Sequence, residues 1–192
     1  MRVVVREECG LAQALEGMAY SYRDPGDTEW CMYPQERSLK IANALYTRDN
    51  GENKFLESVV VWIEITAPRY WWSQFDTYRI GVTKQSESTM HTLKKSPPTK
   101  DMFAADTPWI IRAAFRVCWH LYRADINKLK KCLPESYMQT RMICTNYKAL
   151  RGMYYQRHSH RLLDWQEFFL QLEKQLAKPM FVFYNHRNTS NG

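Results

Sequence analysis

Ser58 to Ile80, SVVVWIEITAPRYWWSQFDTYRI, is the stretch on which the reading of the fold turns. Its first nine residues, Ser58 to Thr66, are β-branched and aromatic, the composition of a strand packed in a sheet. Ala67-Pro68 then turns the chain, and a proline at the first turn starts a helix expected to run to about Arg79. That helix carries Arg69-Tyr70-Trp71-Trp72, which reads first as core packing and second as a stacking surface for bases.

Outward from this stretch, Val3-Val4-Val5 predicts a first strand, and LAQALEGMAYSY after Gly10 has helical spacing. Asp24-Pro25-Gly26-Asp27 reads as a loop, Pro34 to Tyr46 as a second helix, and Asp49-Asn50-Gly51 as its break. Gly81 to Leu93 is polar and reads as an irregular ligand loop. Ser96-Pro97-Pro98 lies in a connector, Pro108 to Tyr122 is helical, and Asn127 to Lys131 extends that region. Met138 to Cys144 fits either a strand or a helix start. Asn146 is a good N-cap for a helix through Gln156. Leu162 to Leu176 predicts an amphipathic helix, and MFVFY after Lys178-Pro179 a final strand. Residues 1–187 are expected to form one domain, with 188–192 a disordered tail.

The 192 residues include 27 Lys and Arg against 20 Asp and Glu, a net charge of +7 that favours anionic partners. Five cysteines without a CxxC pair point to reduced thiols and a cytoplasmic location rather than a disulfide scaffold. The N-terminus lacks a signal-peptide core, and no apolar run is long enough for a membrane span. His158-Ser159-His160 has no identifiable third ligand, so no metal is expected. No Gly-rich phosphate loop and no catalytic triad spacing is present.

Two constellations remain. Gln74 and Arg79 end the first helix, and Thr83, Lys84, Gln85, Ser86, Glu87, Ser88 and Thr89 follow it. Hydroxyls, amides and a cation suit a phosphate or a base edge, although a solvated loop has the same composition. The second runs through Lys130, Leu133-Pro134, Asn146-Tyr147-Lys148-Ala149-Leu150, Arg157 and Asp164-Trp165-Gln166-Glu167. Taken alone, its Asn146 is an N-cap and its Arg157 a surface cation.

The order and spacing of these residues resemble the flavin-dependent thymidylate synthases (ThyX), over about 130 residues from Lys40 to Gln171. The matched features are the strand, the Ala67-Pro68 corner, Gln74, Arg79 and Ile80. Leu133-Pro134, an Asn-x-Lys-x-Leu in place of Asn-x-Arg-x-Leu, and Arg157 eleven residues past Asn146 complete the match. The departures are specific. Thr77-Tyr78-Arg79 stands in place of Arg-His-Arg. Glu87 and Thr89 stand where a nucleotide-binding serine and an arginine are expected, and a one-residue slip restores Ser86 or Ser88. Of an upstream Phe-Glu-His only Glu57 survives, with Glu52 nearby.

The resemblance implies an α+β fold: one mixed α/β domain with an antiparallel sheet and long helices. It also implies a homotetramer with flavin and nucleotide at subunit interfaces. It implies methylation of dUMP, or a related pyrimidine nucleotide, with FAD as hydride carrier and with NADPH and methylenetetrahydrofolate as co-substrates. Arg157 would polarise the pyrimidine as the catalytic residue. Gln74, Tyr78, Arg79 and Asn146 would hold flavin, and Ser86, Glu87, Ser88 and Lys130 would hold the nucleotide. The small size would suit a phage-encoded version. The alternative is a catalytically inactive relative that binds nucleotide or nucleic acid, or that acts as an interaction protein.

Overall fold

The computed structural model describes residues 1–22, 26, 35–48 and 51–183. Cys31, Pro34, most of the Asp24–Asp27 loop, Asp49-Asn50, Tyr184 and the expected tail lie outside them. Four strands form one antiparallel sheet in the order β1 (Arg2–Cys9), β2 (Val60–Pro68), β4 (Met138–Asn146), β3 (Val82–Ser86). Eight α-helices accompany it among the described residues: α1 (Leu11–Ala19), α2 (Gln35–Leu45), α3 (Arg69–Phe75), α4 (Thr89–Thr92), α5 (Trp109–Tyr122), α6 (Ile126–Lys131), α7 (Tyr147–Arg157) and α8 (Asp164–Glu173). None is long and apolar enough to cross a membrane.

β2 sits at the centre because its side chains alternate cleanly. Val61, Ile63, Ile65 and Ala67 are fully buried, whereas Trp62, Glu64 and Thr66 are half-buried on the other face. Glu64 is held there by the guanidinium groups of Arg2 and Arg6. The buried face meets an aromatic layer from α3 and α8: Trp71, Trp72, Phe75, Trp165 and Phe168. Trp71 and Trp72 are therefore core residues. A second cluster of Leu93, Phe103, Phe115, Trp119, Leu129, Leu133 and Tyr137 joins α5 and α6 to the polar end of the chain's middle third. There Trp119 Nε1 donates to the Leu93 carbonyl at 2.8 Å.

Several sequence expectations are corrected by backbone chemistry. The helix after Pro68 ends at Phe75 rather than Arg79. Thr77 closes it, its hydroxyl donating to the Gln74 carbonyl at 2.8 Å. Gly81 to Leu93 is not an irregular loop: it holds β3 and the short α4. β3 pairs only with β4, so its exposed side chains stay polar and carry none of the apolar alternation that betrays a strand. The last amphipathic helix is shorter than expected, Asp164–Glu173.

The expected final strand is also absent: Pro179–Phe181 is a single 3-10 turn that buries Phe181 beside Phe55 and Tyr46. No edge is open for it at β1. Gln171 Oε1 accepts from the Val3 N–H and Gln175 Oε1 from the Val5 N–H, both at 2.9 Å. Gln175 Nε2 returns a bond of 2.9 Å to the Val3 carbonyl. Two amide side chains of the α8 region thus do the work of a fifth strand, and they blunt an edge that would otherwise template aggregation.

Each of those bonds contributes about 1 kcal/mol net. Gln171→Ala with Gln175→Ala should therefore lower stability by about 2–3 kcal/mol and raise aggregation on heating, read by calorimetry and light scattering. A second test concerns Tyr147, buried with its hydroxyl donating to Glu8 at 2.9 Å and accepting from the Lys178 N–H at 3.1 Å. Burial, reinforced by the Glu8 carboxylate, holds this phenol well above the ordinary tyrosine range, against the lowering effect of the Lys178 N–H. Because the folded state binds the proton more tightly, its contribution to stability is complete below the ordinary pKa of about 10 and is lost as pH rises above it. Tyr147→Phe should be less stable at neutral pH yet lose less stability between about pH 9 and 11, measured by denaturant titration.

Candidate functional site

The α3 terminus, the turn after it and the two ends of α7 build the site. α3 points Gln74 toward α8, where Trp165 Nε1 donates to Gln74 Oε1 at 2.9 Å. That bond fixes the amide, and its N–H groups have no hydrogen-bond partner among the described residues. Trp165 itself is fully buried and stacked on Phe75 and Phe169.

The other face of the Trp165 environment receives Arg157, whose guanidinium carbon lies 5.4 Å from the indole centroid. Arg157 Nε donates to the Tyr78 hydroxyl at 3.1 Å, and that hydroxyl donates to Gln156 Oε1 at 3.1 Å. The two terminal nitrogens of Arg157 make no bond to a described residue. Arg157 ends α7, where the negative pole of the helix favours a cation.

Asn146 begins the same helix and is its N-cap, Oδ1 accepting from the Ala149 N–H at 2.8 Å. An eleven-residue helix is about 16 Å long, so Asn146 and Arg157 stand at opposite ends. The segment from Tyr78 to Gly81 bridges them. Tyr78 meets Arg157, and Gly81, at φ +67°, crosses Asn146 so closely that a Cβ there would sit 3.1 Å from Nδ2. Arg79 is exposed between these two contacts and no described residue pairs with it. Gln74, Tyr78 and Arg157 thus meet around Trp165, and Arg79 and Asn146 lie along the segment that runs on from them. Their chemistry is that of amide donors and two cations, groups that suit carbonyl and anionic partners.

The residues expected to hold the nucleotide are placed differently. Ser86 ends β3 opposite Arg141, roughly 17 Å along the strand from Gly81. Ser88 precedes α4, and both serine side chains are exposed. Lys130 is exposed on α6, which packs against α4. Glu87 is committed to the sheet: its carboxylate accepts from the Thr140 N–H at 3.1 Å and its carbonyl from Gln139 at 3.2 Å. Lys84 is likewise engaged, with the Tyr78 carbonyl at 2.9 Å and Asp76 at 3.3 Å. One chain therefore gathers the first group and leaves the second at the far end of β3. Glu52 and Glu57 line a cleft of about 930 Å³ with Gln13, Gly17 and Tyr22, to which none of these residues contributes.

Sequence reasoning missed Trp165 as the residue that orients Gln74 and seats Arg157. It also missed Arg141, which reaches Asp76 at 2.9 Å while lying 4.4 Å from the Trp72 centroid. The only available signal was the arginine's position in a stretch that fits a strand. His158 and His160 turn their Nδ1 atoms to backbone groups, and no group of His, Cys, Asp and Glu among the described residues could hold a metal ion.

Gly81→Ala should lower stability by about 1–3 kcal/mol through left-handed strain and the Asn146 contact. Gly152→Ala, in helical geometry with open space around it, should raise stability by up to about 1 kcal/mol. Thermal unfolding of the two variants checks the contrast.

No protein-family profile matches the sequence, and no curated protein matches it. Solved structures do. The flavin-dependent thymidylate synthase ThyX from Helicobacter pylori, complexed with FAD and dUMP, superimposes with a TM-score of 0.76 at 15% identity, over 96% of this chain and 98% of that one. A second structure of the Helicobacter pylori enzyme with FAD and dUMP gives a TM-score of 0.73 at the same identity and coverage. The chain has the fold of the flavin-dependent thymidylate synthases.

Proposed function

We propose that this protein is a divergent flavin-dependent thymidylate synthase, acting on dUMP or a related pyrimidine nucleotide. The observation that carries the reading is the convergence of Gln74, Tyr78 and Arg157. Gln74 and Tyr78 lie about eighty residues before Arg157 in the sequence, and their shared contacts with Trp165, with the Arg157–Tyr78 bond, join them on a ThyX fold.

The donor set fits a flavin. The free amide N–H groups of Gln74 and Asn146 would meet the carbonyl and ring-nitrogen edge, and Arg79 would meet phosphate. Bound FAD would supply the hydride chemistry, with NADPH and methylenetetrahydrofolate as co-substrates. The chain's own residues position and polarise. Arg157, held by Tyr78 and Trp165, presents its terminal N–H groups to a pyrimidine carbonyl and withdraws charge from the ring. Ser86, Ser88 and Lys130 would bind nucleotide phosphate. Their place at the far end of β3, roughly 17 Å along the strand from Gly81, supports a site shared between subunits, as in a homotetramer, and the reading takes residues 1–187 as one cytoplasmic domain.

A visible absorption spectrum of the protein after FAD addition tests this directly. A shifted, protein-bound flavin spectrum is expected, and a protein that leaves FAD unperturbed overturns the reading. Arg79→Ala should weaken FAD binding about 10- to 150-fold, the loss of one charge-assisted contact of about 1.5–3 kcal/mol. Arg157→Ala should lower dUMP methylation by a similar factor while leaving FAD affinity nearly unchanged; equal rates in wild type and variant would remove Arg157 from its role.

A second reading, a catalytically silent nucleotide- or nucleic-acid-binding or interaction protein, is favoured by Glu87. A carboxylate stands where the nucleotide-binding serine is expected, and it is tied to the Thr140 N–H. Nucleotide or nucleic-acid binding that weakens steeply with salt, without flavin binding, would select this reading.

A further inference from the structure

α5 and α6 pack against each other, and Phe115, Trp119 and Leu129 share one buried cluster. Cys118 directly precedes Trp119 on α5. At 3.6 residues per turn it falls at the edge of the buried face, on the side away from Arg112, Arg116 and Arg123. α6 ends one residue before Cys132, whose N–H donates to the Leu129 carbonyl at 3.1 Å. That turn sets Cys132 against the same cluster. There the two side chains meet thiol to thiol, hydrogen-bonded to each other and half-buried. Cys9 and Cys144, by contrast, cannot bridge each other. Cys9 ends β1 opposite Val60, and Cys144 stands opposite Trp62 on the far side of β2. With a strand between them they are at least about 9–10 Å apart, beyond the limit of about 7 Å between the Cα atoms of a disulfide.

Two thiols in contact on two packed helices stand in the geometry from which a disulfide closes. We propose that Cys118 and Cys132 are a redox-reactive pair, which a low-molecular-weight disulfide of the glutathione class converts into a bridge between α5 and the end of α6. The hydrogen bond with Cys118, and then burial, hold the Cys132 thiol above the ordinary thiol range, so Cys118 attacks first. Its thiolate displaces one sulfur of the oxidant, forming a mixed disulfide and releasing one small thiol. Cys132 then loses its proton to solvent and attacks the Cys118 sulfur, which closes the bridge and releases the second small thiol. The two protein thiols give up two electrons and two protons, and the oxidant leaves as two thiols. A reducing thiol pool reverses both steps, so the bridge is a transient modification of a chain whose cysteines are otherwise free. It ties down the end of α6, the helix that carries Lys130. Flavin takes no part in the exchange, and the bridge would form equally in a colourless protein.

The test treats the folded, fully reduced protein with excess oxidised glutathione, blocks the remaining thiols with iodoacetamide, and maps tryptic peptides by mass spectrometry without reduction. Trypsin cuts after Arg123 and after Lys131, so the bridge joins two separate peptides. The expected product is that linked pair, about 2 Da lighter than the two reduced peptides together and separated again by dithiothreitol. Cys132→Ser should trap glutathione on Cys118, because no second thiol resolves the mixed disulfide, and the adduct there should exceed that in the wild type at least tenfold. Circular dichroism confirms that the variant is folded. The wild-type map needs no variant, and decides the matter alone if the serine variant does not fold. A wild type in which Cys118 and Cys132 stay alkylated, carry separate glutathione adducts or bridge to another cysteine overturns the proposal. So does a Cys118 adduct equally abundant in the wild type and in folded Cys132→Ser.

Discussion

The Trp165 indole is the point at which the core and the candidate site become one structure. Its ring is buried against Phe75, Phe168 and Phe169, and its single N–H is spent on Gln74. A buried indole N–H needs an acceptor, and leaving it unmade costs about 1–3 kcal/mol. Gln74 supplies that acceptor and is thereby held in one orientation. The same ring gives Arg157 an aromatic edge to rest on, and Tyr78 closes the arrangement through its hydroxyl. The positions of these polar groups are thus consequences of aromatic packing between α3 and α8.

The sheet imposes the second constraint. β2 and β4 pair from Val60–Asn146 to Pro68–Met138, so the end of β4 and the start of β2 coincide. The β3–β4 register, with Val82 opposite Thr145, places the α7 N-cap beside the turn that follows α3, and Gly81 is the residue that lets the turn pass. Closure of the β1 edge by Gln171 and Gln175 then fixes α8, and with it Trp165, against the sheet. Site geometry therefore depends on contacts well away from any ligand.

Much of this was legible in the sequence. The run VVVWIEIT could only be a strand, and Asn146 followed by Tyr-Lys-Ala-Leu announced an N-cap and helix. Gln74, Arg79, Asn146 and Arg157 were legible through their order and spacing, not through their chemistry, which alone suits any solvated face. β3 was not legible, because an edge strand keeps polar side chains and a period-two signal needs one buried face. The turn at Pro179–Phe181 was misread as a strand because phenylalanine and valine serve a buried 3-10 turn equally well. The commitment of Glu87 and Lys84 to the sheet was invisible, since it depends on cross-strand neighbours far away in sequence.

The central claim is that Gln74, Asn146 and Arg79 frame a flavin on the edge oriented by Trp165. A crystal structure of the protein grown with FAD measures it most directly. The account predicts the isoalloxazine edge within hydrogen-bond distance of the Gln74 and Asn146 amide nitrogens, and a flavin phosphate beside Arg79. Flavin bound at another surface, or crystals without flavin at saturating FAD, would contradict it.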